Sequence, residues 1–408
     1  TVELTKYGLR AIENYISAYN YGLLPLSYLS TLIAPDYFGN AATGNFFGAF
    51  NYHEAIFYTG VLAVFCFVLS LFFLRTNKYV RFFVITAILS FMFGFDTFLG
   101  KAVYLYNVPG LSTSAAGRIA VIFSMSLAVL AGIVISNLGK ISFKKIFITI
   151  GIVGSMYAVI YYLARYTDGI LMTSTNPGLL LEQRRAVTLR NLILPGALVL
   201  GYSFVFLLAK KWKALIGLLL IMICLEMFRF GWKYIPFVPE RIVYPDTPAI
   251  TFLKEKSKTE VFRIEREKAE IMPPATWMQY RLMSPSGYDP MAIKDYVQIY
   301  QEKINGNFSG NVSRYSEPDR YDSKALGEFN VKYLFVIKRD DIGKLGGENI
   351  NYSIDQKQWK KVFETESTAI MENTNYQARA RYLNSKEGEI VITSYTPNTI
   401  KISYSDGA

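Results

Sequence analysis

Residues 55–74 read AIFYTGVLAVFCFVLSLFFL, twenty residues without a charge, followed at once by RTNKYVR (75–81). A helix rises 1.5 Å per residue and the hydrocarbon core of a bilayer is about 30 Å thick, so a run of roughly 20 apolar residues is the length of one membrane crossing. Working outward, five further runs resemble it, at 82–99, 119–138, 146–164, 192–209 and 214–230. The second is short and the fifth carries Pro195. The expected fold is therefore a membrane α-helical bundle of about six spanning helices.

The turns between paired runs are short and basic: Arg75, Lys78 and Arg81 in the first, Lys140, Lys144 and Lys145 in the second, Lys210, Lys211 and Lys213 in the third. By the positive-inside rule these turns are cytoplasmic. The alternate loops, the N-terminal stretch and everything after residue 230 are then extracytoplasmic, and the chain is expected to be a multi-pass protein of the cell membrane.

Composition agrees with this reading. Of 408 residues 51% are hydrophobic, and the net charge of +11 comes from Lys and Arg gathered at the ends of apolar runs. That placement is what membrane topology requires, and no nucleic-acid-reading motif accompanies it, so nucleic acid is not expected as a partner whereas membrane lipids are. The two cysteines, Cys66 and Cys224, lie inside apolar runs as small buried hydrophobes. A single histidine, His53, leaves no histidine-rich metal site. There is no phosphate loop, dinucleotide fingerprint or nucleophile elbow, so neither metal nor cofactor is expected. The chain starts at Thr1 without a signal-peptide pattern and ends in an alternating, strand-like stretch (400–408), which reads as a piece of a longer protein, cut at both ends.

Five segments follow: an extracytoplasmic interfacial segment (1–54), the helical domain (55–232), a proline-rich linker (233–248), an extracytoplasmic α+β domain (249–384) and the start of a β-sandwich-like domain (385–408). Tyr7, Tyr15, Tyr19, Tyr21, Tyr28 and Tyr37 suit the membrane interface, where a ring is apolar at one end and wet at the other. Strands are expected at 260–266, 331–338, 359–363, 369–372, 378–383 and 389–393, with helices at 249–256 and 290–304.

Candidate site residues cluster at the expected outer face. Asp36 and Tyr37 stand in the turn Pro35-Asp36-Tyr37-Phe38-Gly39-Asn40, and His53 and Glu54 where the first helix begins. They read either as a polar pocket that orients a sugar or phosphate or as caps, Asp36 of a turn and Glu54 of a helix N-terminus. Asp96 and Arg118 are charges at membrane depth, which usually face a bundle interior. Asp96 is expected to pair with Lys101, and Arg118 to bind a lipid-linked phosphate through its planar fork. Arg184 and Arg185, with Arg190, form a basic outer cluster that suits an anionic headgroup or simply solvent. Glu226 and Arg229, three apart, read as an intrahelical ion pair.

Several stretches resemble the bacterial YfhO-like membrane proteins. Pro35-Asp36-Tyr37-Phe38-Gly39 followed by Glu54, Tyr58 and Gly60 is similar to that family's P-x-[FY]-F-G … E-x-x-x-Y-x-G stretch, and Tyr106-Asn107-Val108-Pro109-Gly110 with Arg118 to its N-x-P-G … R loop. Leu225-Glu226-Met227-Phe228 running into Tyr234-Ile235-Pro236 resembles its last-helix exit. Downstream, Gly287-Tyr288-Asp289-Pro290, Asn330-Val331-Lys332-Tyr333 and Glu372-Asn373 with Arg379-Ala380 resemble its G-Y-[DE]-P, N-V-K-Y and E-N … P-R-A marks, although Gln377 and Ala378 replace the usual Leu-Pro.

The resemblance implies a GT-C glycosyltransferase that moves a sugar from a polyprenyl-phosphate donor to a cell-surface polymer or lipid at the outer membrane face. It also implies that the catalytic carboxylate lies in a first outer loop ahead of residue 1, which leaves Asp36, Tyr37, His53, Glu54, Asp96, Arg118, Arg184 and Arg185 as substrate- or donor-binding residues and the catalytic residue unassigned. Two other classes stay open: a lipid or polymer transporter, which would favour inverted repeats and broken helices, and a noncatalytic membrane-anchored glycan-binding or scaffold protein.

Overall fold

The computed structural model describes residues 7–8, 22–49, 51–106, 108, 112, 115–168, 179–267, 271–289, 292–306, 315–341, 343–351, 353–382, 390–396 and 398–405. The chain divides into two compact units, Ile12–Phe237 on the one hand and Thr1–Ala11 with Val238–Ala408 on the other.

The first unit is helical: α1 (Val61–Ser70), α2 (Lys78–Gly94), α3 (Phe98–Leu105), α4 (Ala120–Ser136), α5 (Phe143–Tyr166), α6 (Leu181–Ala209) and α7 (Leu215–Tyr234). Among the described residues four helices are long and apolar enough to cross a membrane: α4 with the 3-10 turn before it (Ala116–Ser136), α5, α6 and α7. Only 39%, 17%, 39% and 11% of their most apolar stretches are buried. The remaining surface, with side chains such as Phe147, Ile193 and Ile221 turned outward, is the kind that a bilayer covers.

Among the described residues four helices therefore meet the length and hydropathy of a span, where six runs were expected. In the first run the helix is interrupted at Gly60, whose φ of 91° belongs to glycine. Tyr52–Ala55 forms a separate turn, and α1 covers only the ten residues from Val61 to Ser70 before a 3-10 turn at Leu71–Phe73. Ten residues span about 15 Å, half the hydrocarbon thickness. All of α1 but Phe67 is buried, packed against α4, α5 and α6, so this helix, apolar on every side, is the core of the unit. The second run breaks at Phe95. Asp96 N–H donates to Leu24 C=O at 2.8 Å, Leu24 N–H to Gly94 C=O at 2.9 Å, and Thr97 Oγ1 accepts from Gly100 N–H at 3.2 Å to start α3. Asp96 therefore sits in a turn between helices rather than inside one.

The other runs lengthen. The helix α6 begins at Leu181, so Arg184, Arg185 and Arg190 are helical residues and not a loop; Pro195 is absorbed within it, at the cost of the hydrogen bond that Asn191 C=O would have accepted. Two of the supposed interfacial tyrosines are core: Tyr28 is 1% exposed and Tyr37 is fully buried. Tyr15, Tyr19 and Tyr21 lie outside the described residues. Cys66 is buried, whereas Cys224 is exposed on α7.

The second unit carries a four-stranded sheet in the order β1-β4-β6-β5, built from β1 (Arg263–Arg266), β4 (Val331–Ile337), β5 (Trp359–Glu364) and β6 (Thr368–Asn373). The pair β1/β4 is parallel; β4/β6 and β5/β6 are antiparallel, with Phe335 opposite Ile370. Both faces are covered, which is why β4 reads as a nearly continuous apolar run. One face packs Tyr333, Phe335 and Ile370 on α8 (Pro248–Ser257), and the other packs Leu334, Val336 and Met371 on α9 (Lys294–Tyr300), the π turn after it and α10 (Ser323–Glu328). Short pairs β2/β3 (Gly287–Tyr288 with Tyr315–Ser316) and β7/β8 (Ile390–Tyr395 with Ile400–Tyr404) complete it. The expected strand at 378–383 is absent over 378–382; Asn373 instead turns the chain, its amide donating to Ser323 C=O at 2.8 Å and Val331 C=O at 3.0 Å.

Glu265 on β1 is 1% exposed. Its carboxylate accepts from Arg266 N–H at 3.0 Å and from the Ser286 hydroxyl, which lies 2.7 Å from Tyr300 Oη. Burial outweighs these hydrogen bonds and pushes its pKa up to about 7. Between the ordinary carboxylate value and about 7 the unfolded chain has lost this proton while the folded chain keeps it, so stability falls as pH rises through that window and levels off above it. Thermal unfolding of the purified protein between pH 5 and 8 is expected to show this slope and Glu265→Gln to flatten it; an equal slope in the variant would exclude Glu265 as its source.

Candidate functional site

The turn at 35–40 is shaped by aromatic packing. Phe38 stacks on Tyr28 with centroids 4.6 Å apart and meets Phe47 edge-on at 5.8 Å, while Phe47 N–H donates to Phe38 C=O at 2.9 Å. Gly39 has φ 81°, and a Cβ there would lie 2.1 Å from Asn45 C=O, so no other residue fits. The turn is fastened to α6 by two hydrogen bonds to its carbonyls: Asn191 Nδ2 to Asp36 C=O at 2.7 Å and Thr188 Oγ1 to Tyr37 C=O at 2.9 Å.

This anchoring fixes the Asp36 side chain. Its Oδ1 accepts from Tyr52 Oη at 2.7 Å and Asn40 Nδ2 at 2.8 Å, and its Oδ2 from Lys233 Nζ on α7 at 2.7 Å. Burial, then the adjoining Asp36 carboxylate, push the Tyr52 hydroxyl well above its ordinary pKa, so it remains a donor.

Seven residues before Lys233, on the same face of α7, stands Glu226. Its Oε1 accepts from Val61 N–H at 2.8 Å and from the Tyr58 hydroxyl, and its Oε2 from Tyr202 Oη at 2.6 Å. The expected intrahelical pair with Arg229 is therefore corrected. Glu226 acts as a remote cap, placing a negative charge on the first N–H of α1 where the helix dipole favours it.

Asp36, Tyr58, Glu226 and Lys233 line one cavity of about 380 Å³ with Arg190 and Asn191 of α6 and Arg229 of α7. Both carboxylates are already saturated by protein donors. Arg190 and Arg229, both exposed residues that line the cavity, make no hydrogen bond or ion pair among the described residues. Two arginines without a carboxylate partner beside a lysine have the chemistry that suits an oxyanion, since the guanidinium fork matches phosphate geometry.

The other expected residues lie elsewhere in this unit. Glu54 and Arg118 pair with each other at 2.7 Å, Asp96 pairs with Lys101 at 3.1 Å as expected, and Arg185 binds Asp168 and, at 2.5 Å, Arg165 C=O. Arg184 lies 5.9 Å from the centre of the Phe47 ring. His53 is exposed. None of these six lines the cavity, and Tyr37 faces a different one. Lys233, Tyr52 and Asn191 escaped the sequence reading of the site; Tyr58 entered it only through the resemblance, Arg190 only within the basic cluster, and Arg229 only as the expected partner of Glu226. The signal that could have marked Arg229 and Lys233 is the charged stripe Glu226, Arg229, Lys233 at i, i+3, i+7 on a spanning helix, costly unless it faces a polar interior. Among the described residues no group of three or more His, Cys, Asp or Glu side chains converges as a metal site would need.

The comparison with protein families is decided by one match: residues 33–397 fit the family described as bacterial membrane protein YfhO. The chain belongs to this family. The match takes in the turn at 35–40, the cavity and both units. No curated protein and no solved structure matches the chain significantly.

In this YfhO-family chain, Glu226→Ala is expected to leave three donors without a partner and to cost about 3 kcal/mol, read as a lowered melting temperature in detergent. Arg229→Ala is expected to leave it unchanged. A large loss in Arg229→Ala would restore the ion pair in place of the cap.

Proposed function

We propose that this protein is a membrane glycosyltransferase of the GT-C type, which transfers a sugar from a polyprenyl-phosphate donor to a cell-surface polymer or lipid acceptor at the outer membrane face. The observation that carries this reading is the pair of arginines, Arg190 and Arg229, without a carboxylate partner among the described residues in a cavity between two membrane-length helices. A lipid phosphate reaches such a cavity from the bilayer.

In the reaction the bond between the anomeric carbon and the phosphate oxygen breaks, the sugar carbon bonds to an acceptor hydroxyl, and the leaving phosphate gains charge. Arg190 and Arg229 are suited to hold that charge, because donors already in position stabilise it without reorganisation. Lys233, held by Asp36, adds a third positive charge at a set position, while Tyr52 and Asn40 keep Asp36 from turning away. The base that takes the acceptor proton is left to the outer loop that the family resemblance puts ahead of residue 1.

The experiment is transfer by the full-length protein in proteoliposomes supplied with a polyprenyl-phosphate sugar. Each of Arg190→Ala and Arg229→Ala is expected to lower kcat/KM by about tenfold to a hundredfold, the value of a charge-assisted hydrogen bond of roughly 1.5–3 kcal/mol. Arg118→Ala, which breaks only the exposed pair with Glu54, is expected to change it little. Wild-type transfer by the Arg190/Arg229 double variant would overturn the phosphate site, and lipid translocation without sugar transfer would favour a transporter.

A further inference from the structure

A second cavity opens on the other side of the 35–40 turn. It is a groove of about 670 Å³ between the 3-10 turn Leu26–Leu32 and the helix α5. On α5 its lining falls at 148, 151, 152, 155, 156, 159, 160 and 163, a single stripe at helical spacing. Gly151 and Ser155 give the stripe its depth. Only 17% of the most apolar stretch of α5 is buried by protein, so the groove is open to whatever surrounds this membrane-length helix.

The lining is otherwise mostly apolar and carries four hydroxyls: Ser30 Oγ donates to Ser27 C=O at 2.8 Å, Ser155 is exposed on α5, and the other two are Ser27 Oγ and Tyr37 Oη. Both of these last two oxygens are buried, and neither has a hydrogen-bond partner among the described residues. Burying a hydroxyl without a partner is expensive, and two in one groove are a demand for acceptors that the protein itself does not meet. A pure hydrocarbon chain has none to give. The acyl chains of a glycerolipid fill the apolar stripe while its ester carbonyls supply two acceptors a few ångströms apart. The level in the membrane also suits esters: Tyr37 C=O accepts from Thr188, the eighth residue of the 29-residue helix α6, close to one end of a span rather than at its middle.

We propose that this groove is a binding site for a diacyl glycerolipid, with Tyr37 and Ser27 donating to its ester carbonyls and α5 receiving an acyl chain. The site is separate from the cavity of Arg190 and Arg229, although both are built on one turn: Asp36 faces the first and Tyr37 the second. It does not depend on the transferase reading.

The test uses the full chain in phosphatidylglycerol vesicles containing a trace of phosphatidylglycerol with a diazirine on one acyl chain. After photolysis, adducts are mapped by mass spectrometry. They are expected to concentrate on the 148–163 stripe and on 26–37, to fall at least fivefold in the Ser27→Ala/Tyr37→Phe variant, and to be competed about tenfold better by unlabelled diester lipid than by its diether analogue, which lacks the carbonyls. Because neither hydroxyl bonds to protein, this variant is expected to melt in detergent at the wild-type temperature. Ile152→Trp, which narrows the groove without touching the hydroxyls, is expected to lower labelling by both lipids alike. Adducts spread evenly over all lipid-facing helices, equal competition by diester and diether lipids, or stronger competition by a polyprenyl phosphate would each overturn the proposal.

Discussion

A carboxylate inside a membrane-length helix must be compensated, and the helical unit is organised around the way Glu226 is. Its oxygens collect Tyr58, the first N–H of α1 and Tyr202, so one side chain joins α7, the start of α1 and α6. The short core helix α1 begins where it does because Gly60 turns the chain there and a remote negative charge meets its N-terminus. An arginine three residues along the same helix would have neutralised Glu226 at lower structural cost. Since the carboxylate is satisfied by other groups, Arg229 lines the cavity without a carboxylate partner among the described residues.

The same logic governs Asp36. Aromatic stacking of Phe38 on Tyr28 and two hydrogen bonds to α6 hold its turn, and three donors then hold its side chain. With both carboxylates hydrogen-bonded by other groups, Arg190 and Arg229 line the cavity without a carboxylate partner among the described residues. The turn also separates two environments, a charged cavity and an apolar groove, across the single peptide link between Asp36 and Tyr37.

Much of the architecture was legible beforehand. Run length marked α4, α5, α6 and α7, because a membrane crossing demands about 20 apolar residues whatever their partners. Alternation and apolar runs marked β4, β5 and β6, whose buried side chains must lie where the sheet puts them. The errors have physical causes. The run at 55–74 is as apolar as a span, but α1 is apolar because protein encloses it on all sides, and hydropathy does not distinguish protein from lipid. Arg184, Arg185 and Arg190 looked like a loop because polarity marks the membrane edge and not the end of a helix. Tyr28 and Tyr37 fitted an interface by residue type and were instead taken into the core by packing.

For the site, the sequence by itself determined that charges such as Asp36, Glu226, Arg229 and Lys233 stand in or beside apolar segments and so need an account, and that the turn before the first helix is rich in polar and aromatic groups. It also carried the family, through short motifs in a fixed order. Only the tertiary structure decided which charges cancel. The pair of Asp96 with Lys101 was already legible, but Glu54 closes a pair with Arg118, whereas Arg190 and Arg229 have no such partner among the described residues in a cavity with Lys233. Spacing along a helix tells which side chains share a face, but whether a charge is free depends on donors brought from Tyr58, Val61 and Tyr202, residues as much as 168 positions away.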